Sequence, residues 1–221
     1  MSNWVLALDT SAGTCVAILH NGQVAAEVVI ANNMKHAETV GIAIQQVLVE
    51  AGIKPAQITA VVIGRGPAPY TGLRVGIAAA AMFAEAIAVP AFGVVSLDAI
   101  ALAALRANPL EDNRPLLVTA DARRSEVYWA LYSGLSANGA PIRIEGPSVA
   151  KPAELAEQLA ARGILHHTTE VSLTAGNLGL VAEAHLLDGI RDSELSPLYL
   201  RAPDAVLPKA NLPYGKRVSA S

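Results

Sequence analysis

Aromatic side chains are scarce in this chain: two tryptophans, five tyrosines and two phenylalanines in 221 residues. Charge is scarce too, at 16% of residues, where ordinary globular domains carry about 25%. Lys and Arg together number 16 against 19 Asp and Glu, a formal net charge of −3. That balance cannot make a strong basic footprint, which argues against nucleic-acid binding by this chain alone. Hydrophobic residues make up 52%, the opposite of the composition that leaves a chain disordered. The single cysteine, Cys15, excludes a disulfide framework and any zinc site built on several thiolates. Nothing at the N-terminus resembles a secretory signal, because Trp4–Leu8 is a short run that reaches Asp9 at once. Between Val75 and Val95 the only charge is Glu85. Glu85 and Pro90 argue against a membrane span there. The expectation is a soluble, cytoplasmic protein of one or two domains, large enough to bury about 70% of its unfolded surface without a staple.

What is abundant is alanine, about a fifth of the chain. Alanine favours helices and lets backbones approach closely, but each one buries little area. A chain rich in apolar residues yet short of large ones either packs its helices tightly or leaves an apolar helical face for a partner.

Periodicity sets out the order of elements. Trp4–Leu8, Cys15–Leu19 and Gln23–Ile30 read as three antiparallel strands, the last two joined by the hairpin signal Asn21-Gly22. From Lys35 to Ala51 the apolar positions recur at helical spacing and stop at Gly52. Ile42 and Val49 fall opposite the apolar stripe, where polar residues belong. Ile58–Ile63 reads as a buried strand parallel to the first, followed by the Gly- and Pro-rich segment 64–72 and a helix over Leu73–Ala88 that is apolar on every side. A helix of that kind is buried all round or lies at an interface, and the surplus at Ile42 and Val49 favours the interface. Ala91–Val95 reads as a strand and Ser96 as the cap of a helix over Leu97–Ala107. A polar break over 108–115 marks a boundary between a first unit, 1–110, and a smaller second one, 111–201. The second repeats the opening pattern with Leu116–Ala120 ending in Asp121, then strands at Glu126–Tyr132 and Ile142–Ile144. A helix begins at Pro152, Thr174–Asn177 reads as a strand end, and a last helix covers Leu178–Leu187. Residues 202–221, with prolines at 203, 208 and 213, read as an extended or disordered tail.

The residues offer chemistry at a few points. Asp9-Thr10-Ser11 with Gly13 puts a carboxylate and two hydroxyls at a strand end, a corner able to hold a phosphate or to build a turn. The 64–76 segment has no Gly-Lys-Ser/Thr and does not complete G-x-G-x-x-G, so it is no Walker loop. Asp121-Ala122-Arg123-Arg124-Ser125-Glu126 is a charged turn whose arginines suit a phosphate or a carboxylate. His36 has Val40, not a ligand, one turn on, and His166-His167 has no close acid, so no metal site is expected. Neither Ser11 nor Ser125 lies in a G-x-S-x-G elbow. The residues alone describe a two-lobed α/β protein with an apolar helix pair and no complete catalytic constellation.

Four segments, in order, carry a family resemblance: Leu6-Ala7-Leu8-Asp9-Thr10-Ser11, the run Gly66-Pro67-Ala68-Pro69-Tyr70-Thr71-Gly72-Leu73-Arg74-Val75-Gly76, the turn Asp121 to Tyr128, and Pro197-Leu198-Tyr199-Leu200-Arg201. Over about residues 4–201 the chain resembles the bacterial TsaB (YeaZ) family, the shorter paralogue of the threonylcarbamoyltransferase TsaD. It departs from the usual family pattern at Ala68 and Tyr70, where Gly and Phe are usual. The resemblance implies an actin-like/Hsp70-like/sugar-kinase (ASKHA) fold with two ribonuclease-H-like lobes, the second reduced. It implies a non-catalytic partner of TsaD in making N6-threonylcarbamoyladenosine at position 37 of tRNAs that read ANN codons. TsaE joins that pair, tRNA is met only through the complex, and the chain pairs with itself when TsaD is absent. The implied docking residues are Ile42, Val49, Arg74, Ile77, Ala78, Ala81, Met82 and Glu85. The paralogue holds its metal partly through a His-x-x-x-His pair that here reads His36 and Val40. No cofactor is required on this reading, although Asp9, Thr10, Ser11 and Asp121 are the residues that would serve weak ATP or ADP binding with magnesium at a partner interface. The competing reading is an ATPase or small-molecule kinase of the same fold.

Overall fold

Both faces of the first strand are buried, and this places the chain in layers. The computed structural model describes residues 3–30, 36–68 and 70–201. In β1 (Trp4–Asp9) Leu6 and Leu8 turn into one core and Val5 and Ala7 into another, as the two-residue period of a strand requires. β1 pairs antiparallel with β2 (Thr14–His20), which returns as β3 (Gln23–Ile30). Asn21 and Gly22 between them have φ of 49° and 78°, the left-handed pair that a two-residue hairpin turn needs. β4 (Ala60–Gly64) adds parallel to β1, and β5 (Ala91–Val94) parallel to β4, giving the order β3-β2-β1-β4-β5. The helices α1 (His36–Glu50) and α2 (Tyr70–Ala86) cover the Leu6/Leu8 face.

The second sheet repeats this plan in shorter form. β6 (Leu116–Asp121) pairs antiparallel with β7 (Val127–Leu135), and β7 with β8 (Pro141–Ala150). After α4 (Pro152–Ala161), the two-residue β9 (His167–Thr168) adds parallel to β6, in the order β8-β7-β6-β9. Between the sheets lie α3 (Ser96–Ala107) and α5 (Ala175–Leu187), while α4 packs Leu155 and Leu159 on the outer face of the second sheet against Leu117, Trp129 and Leu131. The layers therefore run helix, sheet, helix, sheet, helix. This doubled arrangement is the actin-like/sugar-kinase architecture. The chain's division at the polar break is not a division of packing, because α5, late in the sequence, lies against β1 and β2.

The middle layer explains the alanine content. Ala99, Ala101 and Ala104 of α3 and Ala175, Ala182 and Ala184 of α5 are all buried in the core between the sheets. Two helices that face a sheet on either side and each other have little room for side chains. At Gly179 a Cβ would overlap the Leu19 side chain, so α5 touches β2 with bare backbone.

The structure departs from the sequence reading at four places. Ser96 is the first helical residue of α3, not its cap; Val95 holds the cap position without a side-chain hydrogen bond. Thr174 is no strand end: it caps α5, its hydroxyl accepting from the Asn177 N–H at 3.2 Å. β8 runs for ten residues rather than the three of Ile142–Ile144, since Gly146-Pro147 is carried within the strand. β9 has no counterpart in the sequence reading, being two residues long. Among the described residues no helix is long and apolar enough to cross a membrane. The expected disordered tail, 202–221, lies outside the described residues.

After α5 the chain runs as a strap back over the first sheet. Arg65, buried just past β4, donates from Nη1 to Asp192 Oδ2 at 2.7 Å and from Nε to the Ser196 carbonyl at 3.0 Å, and pairs through Nη2 with Glu194 Oε2 at 2.8 Å. Backbone bonds from Gly93 N–H to Asp192 O (2.9 Å) and from Leu198 N–H to Arg65 O (2.8 Å) complete the fastening. Further on, Arg201 pairs with Glu126 of the second sheet. The Ser196 hydroxyl, and then the Arg65 cation, hold the Glu194 carboxyl below its ordinary range. A carboxyl depressed in the folded state stabilises above its unfolded value, about 4.3, and that contribution is lost as pH falls below it. Hydrogen exchange at Gly93 and Leu198, corrected for intrinsic rates, is therefore expected to accelerate between pH 5 and pH 3, roughly the window over which a carboxyl is protonated. Arg65→Ala should produce the same acceleration already at pH 7, with α4 and β7 amides unchanged.

Candidate functional site

Asp9 closes β1 and is 1% exposed. Its Oδ1 accepts from the Ser11 N–H at 2.6 Å and from the Ser11 hydroxyl at 2.5 Å. Its Oδ2 accepts from the Ser96 hydroxyl at 2.5 Å, and Ser96 Oγ in turn accepts from the Gly66 N–H at 3.1 Å. Gly64, at the end of β4, is what makes room: a Cβ there would overlap the Asp9 carboxylate. Thr10, also buried, donates to the Gly72 carbonyl at 2.9 Å, and a Cβ at Gly76 would overlap its side chain. The corner read as a phosphate site thus ties the end of β1 to the starts of α2 and α3. Its carboxylate is turned into the protein, held by hydroxyls and a backbone N–H.

Asp121 occupies the matching place at the end of β6, but its contacts stay within its own turn. It accepts from the Arg123 N–H at 2.8 Å and pairs with the Arg123 guanidinium at 3.2 Å. Arg123, Arg124 and Ser125 have φ of 62°, 55° and 58°, three successive left-handed residues, a conformation that costs free energy for side chains larger than glycine. Among the described residues no group of three or more His, Cys, Asp or Glu is placed to hold a metal. Val40, the position of the missing helical ligand, is 3% exposed in the core. Cys15 is buried and its thiol is pushed up by burial and by nearby Asp9 and Glu27, leaving it inert.

The outer faces of α1 and α2 are different in kind. Ile42 is 61% exposed and Val49 and Met82 are each 73% exposed. Arg74, Ala78, Met82 and Glu85 follow the i, i+4, i+8, i+11 row along the solvent side of α2, with Ala81 half-buried beside them. Ile77 departs from the docking set: it points inward and packs with Leu73, Ala80 and Ala84 under the helix. Arg74 is fixed by the strap, its Nε donating to the Tyr199 hydroxyl and its guanidinium lying 5.2 Å from that ring's centre. The sequence reading singled out neither Ser96 as the partner of Asp9 nor Tyr199 as the partner of Arg74. Gly64-Arg65-Gly66 at a strand end was the local sign that something large had to fit close by.

A structural role for the Asp9 corner has a clean test. Asp9→Ala removes three hydrogen bonds, two from half-buried Ser11 and one from buried Ser96, at about 1 kcal/mol each and more where a donor is left unsatisfied. Its expected cost is about 2–4 kcal/mol, read as a Tm drop of roughly 5–15 °C. Gly64→Ala overpacks the same spot and should cost about 1–3 kcal/mol. The double variant should be less destabilised than the sum, because the alanine at 64 then meets no carboxylate. Additive losses in thermal melts would show that the two positions are not in contact.

Comparison with known proteins agrees with this picture. A family model described as TsaD, tRNA N6-adenosine threonylcarbamoyltransferase, matches residues 23–186. A Mycobacterium tuberculosis protein of uncharacterised function is 37% identical over 212 residues, covering 91% of this chain and 93% of its own. The tRNA threonylcarbamoyladenosine biosynthesis protein TsaB of Escherichia coli is 35% identical over 129 residues, 58% of this chain and 54% of that protein. The crystal structure of YeaZ from Pseudomonas aeruginosa superposes with a TM-score of 0.72 at 25% identity, over 90% of this chain and all of that one. The layered fold, the four matching segments and these likenesses converge: the chain belongs to the TsaD-type threonylcarbamoyltransferase family, in its TsaB (YeaZ) branch.

Proposed function

We propose that this chain is a non-catalytic partner in the synthesis of N6-threonylcarbamoyladenosine in tRNA, docking through α1 and α2 onto the TsaD-type subunit that carries the transfer chemistry. The observation that carries the reading is the contrast between the two candidate surfaces. The Asp9 corner is filled by the protein's own hydroxyls, whereas Ile42, Val49 and Met82 are left bare on two adjacent helices. Apolar side chains gathered on one face of a folded protein mark an interaction surface. Ala78 and Ala81 between them keep α2 low, so a partner helix can approach closely. Arg74 and Glu85 give that face a charge of each sign toward its two ends, which fixes register more than affinity.

On this reading the TsaD-type subunit presents a related helix pair, a TsaE-type ATPase joins the assembly, and the tRNA, modified at position 37 when it reads ANN codons, is met only through the complex. The assembly is cytoplasmic. Without the larger subunit the same face pairs with a second copy of the chain. The rival reading, an ATPase or small-molecule kinase, needs a carboxylate free to orient a magnesium-bound water, and the burial of Asp9 weighs against it. Isothermal titration with ATP and magnesium separates the two: tight binding with turnover by the isolated chain belongs to the enzyme reading.

The decisive experiment is reconstituted tRNA modification with the TsaD-type and TsaE-type proteins, with and without this chain. Modification should depend on it, and undiminished modification in its absence overturns the proposal. Met82→Asp and Val49→Asp probe the surface directly, since both positions are well exposed and should change stability by less than about 0.5 kcal/mol. Each should weaken co-purification at least about tenfold, the effect of leaving a charge unpaired in an apolar contact. Ala81 is a poorer probe, because it is half-buried and a charge there also strains the lobe.

A further inference from the structure

A second feature lies away from both surfaces. A pocket of about 450 Å³ opens between β5, the start of α3, the β7–β8 hairpin and the end of α5. It shares no residue with the docking face or with the Asp9 corner. At its inner wall Asp98 of α3 is 3% exposed. The Tyr132 hydroxyl donates to Asp98 Oδ1 at 2.7 Å, and Arg143 Nη1 donates to Oδ1 at 3.1 Å and to Oδ2 at 3.4 Å. A buried carboxylate–guanidinium pair returns in attraction about what it costs in desolvation, so packing alone does not account for it. Burial lifts the Asp98 carboxyl above its usual range, against the pull of Arg143, the Tyr132 hydroxyl and His185. A buried, perturbed carboxyl beside a guanidinium on a cavity wall is where a ligand site is sought first.

Three properties of the lining define what fits. Arg143 engages Asp98 through Nη1 and its side chain is 30% exposed. No other carboxylate is paired with it among the described residues, which leaves the Nε and Nη2 edge of the guanidinium fork for a planar two-oxygen anion. Asp188, at the end of α5, belongs to the same lining. It accepts from the Ser136 hydroxyl and the Asn138 amide, each at 2.6 Å, and no Lys or Arg pairs with it among the described residues. Those two hydrogen bonds, with His185 nearby, keep its carboxyl below the usual range and charged. The helix dipole adds negative potential at the same place. The third acid of the lining, Asp192, is already taken by Arg65. Val95, Ile142 and Ile190 add apolar surface to the same lining, the last two being 43% and 49% exposed.

We infer that this pocket binds a small zwitterion of the amino-acid type, its carboxylate on the Arg143 fork, its ammonium at Asp188 and its apolar side chain along Val95, Ile142 and Ile190. The pocket's volume lies in the ordinary range for small-ligand sites, about 300–1,000 Å³. His185, on its wall, is the natural reporter.

The test uses three probes that differ only in charge: L-leucine, its deaminated counterpart 4-methylpentanoate, and its decarboxylated counterpart 3-methylbutylamine. Binding to the full chain is followed by titration calorimetry and by the His185 ring resonances in NMR. L-leucine should bind saturably, with Kd of about 1 mM or tighter, and at least about tenfold better than either one-charge probe. Arg143→Lys keeps a cation beside Asp98, so the fold is retained, but removes the fork. It should weaken L-leucine and 4-methylpentanoate by about tenfold. Asp188→Asn should weaken L-leucine by a similar factor and leave 4-methylpentanoate unchanged. Thermal melts confirm that both variants fold. No saturable response to any probe up to about 20 mM, equal binding of L-leucine and 4-methylpentanoate, or unaltered affinity in Arg143→Lys each overturns the assignment.

Discussion

The structure depends on a thin helical layer squeezed between two sheets. α3 lies against strands of the second sheet, α5 against strands of the first, and the two helices pack on each other, so their contact positions hold alanine, glycine and a few leucines. That constraint propagates outward. With small side chains in the middle, each buried residue contributes little area, and the chain compensates by burying both faces of β1 and β2 completely. Leu6, Leu8, Val16 and Ile18 serve the outer core, while Val5, Ala7, Ala17 and Leu19 serve the inner one. Few large residues remain to be placed, and three of them, Ile42, Val49 and Met82, stand on the outside of the outermost helices.

The Asp9 corner shows how a carboxylate at a strand end is taken up by packing. A strand-end aspartate beside a tight turn has the makings of a cation or phosphate site. Here Gly64 lets Ser96 and Ser11 reach it first, and the carboxylate becomes the bolt between β1 and α3. The same arrangement fixes the start of α2 through Thr10 and Gly72. Stability is thus gained at a strand end whose residue types also suit a phosphate corner. The exposed turn at Asp121, with its three left-handed residues, has no equivalent of Ser96 and stays a surface feature.

Much of this was legible in the sequence because the signals were local. A continuous apolar run marked β1, the Asn21-Gly22 hairpin signal marked β2 and β3, the helical period marked α1, and the repeat of a strand ending in aspartate anticipated the second sheet. Ile42 and Val49 were visible as residues on the wrong face. What escaped is long-range or locally ambiguous. Ser96 sits where a cap belongs, and only the partner 87 residues away shows that its hydroxyl serves Asp9. Thr174-Ala175-Gly176-Asn177 has strand-like residues before a helix whose apolar positions go all round, so the capping threonine was hidden. The reading of β8 as Ile142–Ile144 stopped short of Gly146-Pro147, which the strand carries through. The Asp98–Tyr132–Arg143 cluster joins three elements, and its one local trace was a carboxylate in a helix whose other charge is Arg106 at its far end.

The strap carries a consequence for the order in which the molecule becomes complete. Arg74 stands early in the chain, but the tyrosine that orients it lies 125 residues later, and the acids that hold Arg65 are made nearly as late. During synthesis the outer helices can pack on their sheet long before that stretch emerges from the ribosome. A half-made chain therefore presents the apolar side chains on the outside of α1 and α2 before Tyr199 has ordered Arg74 at their edge. That face takes its finished form only when the final crossing is fastened.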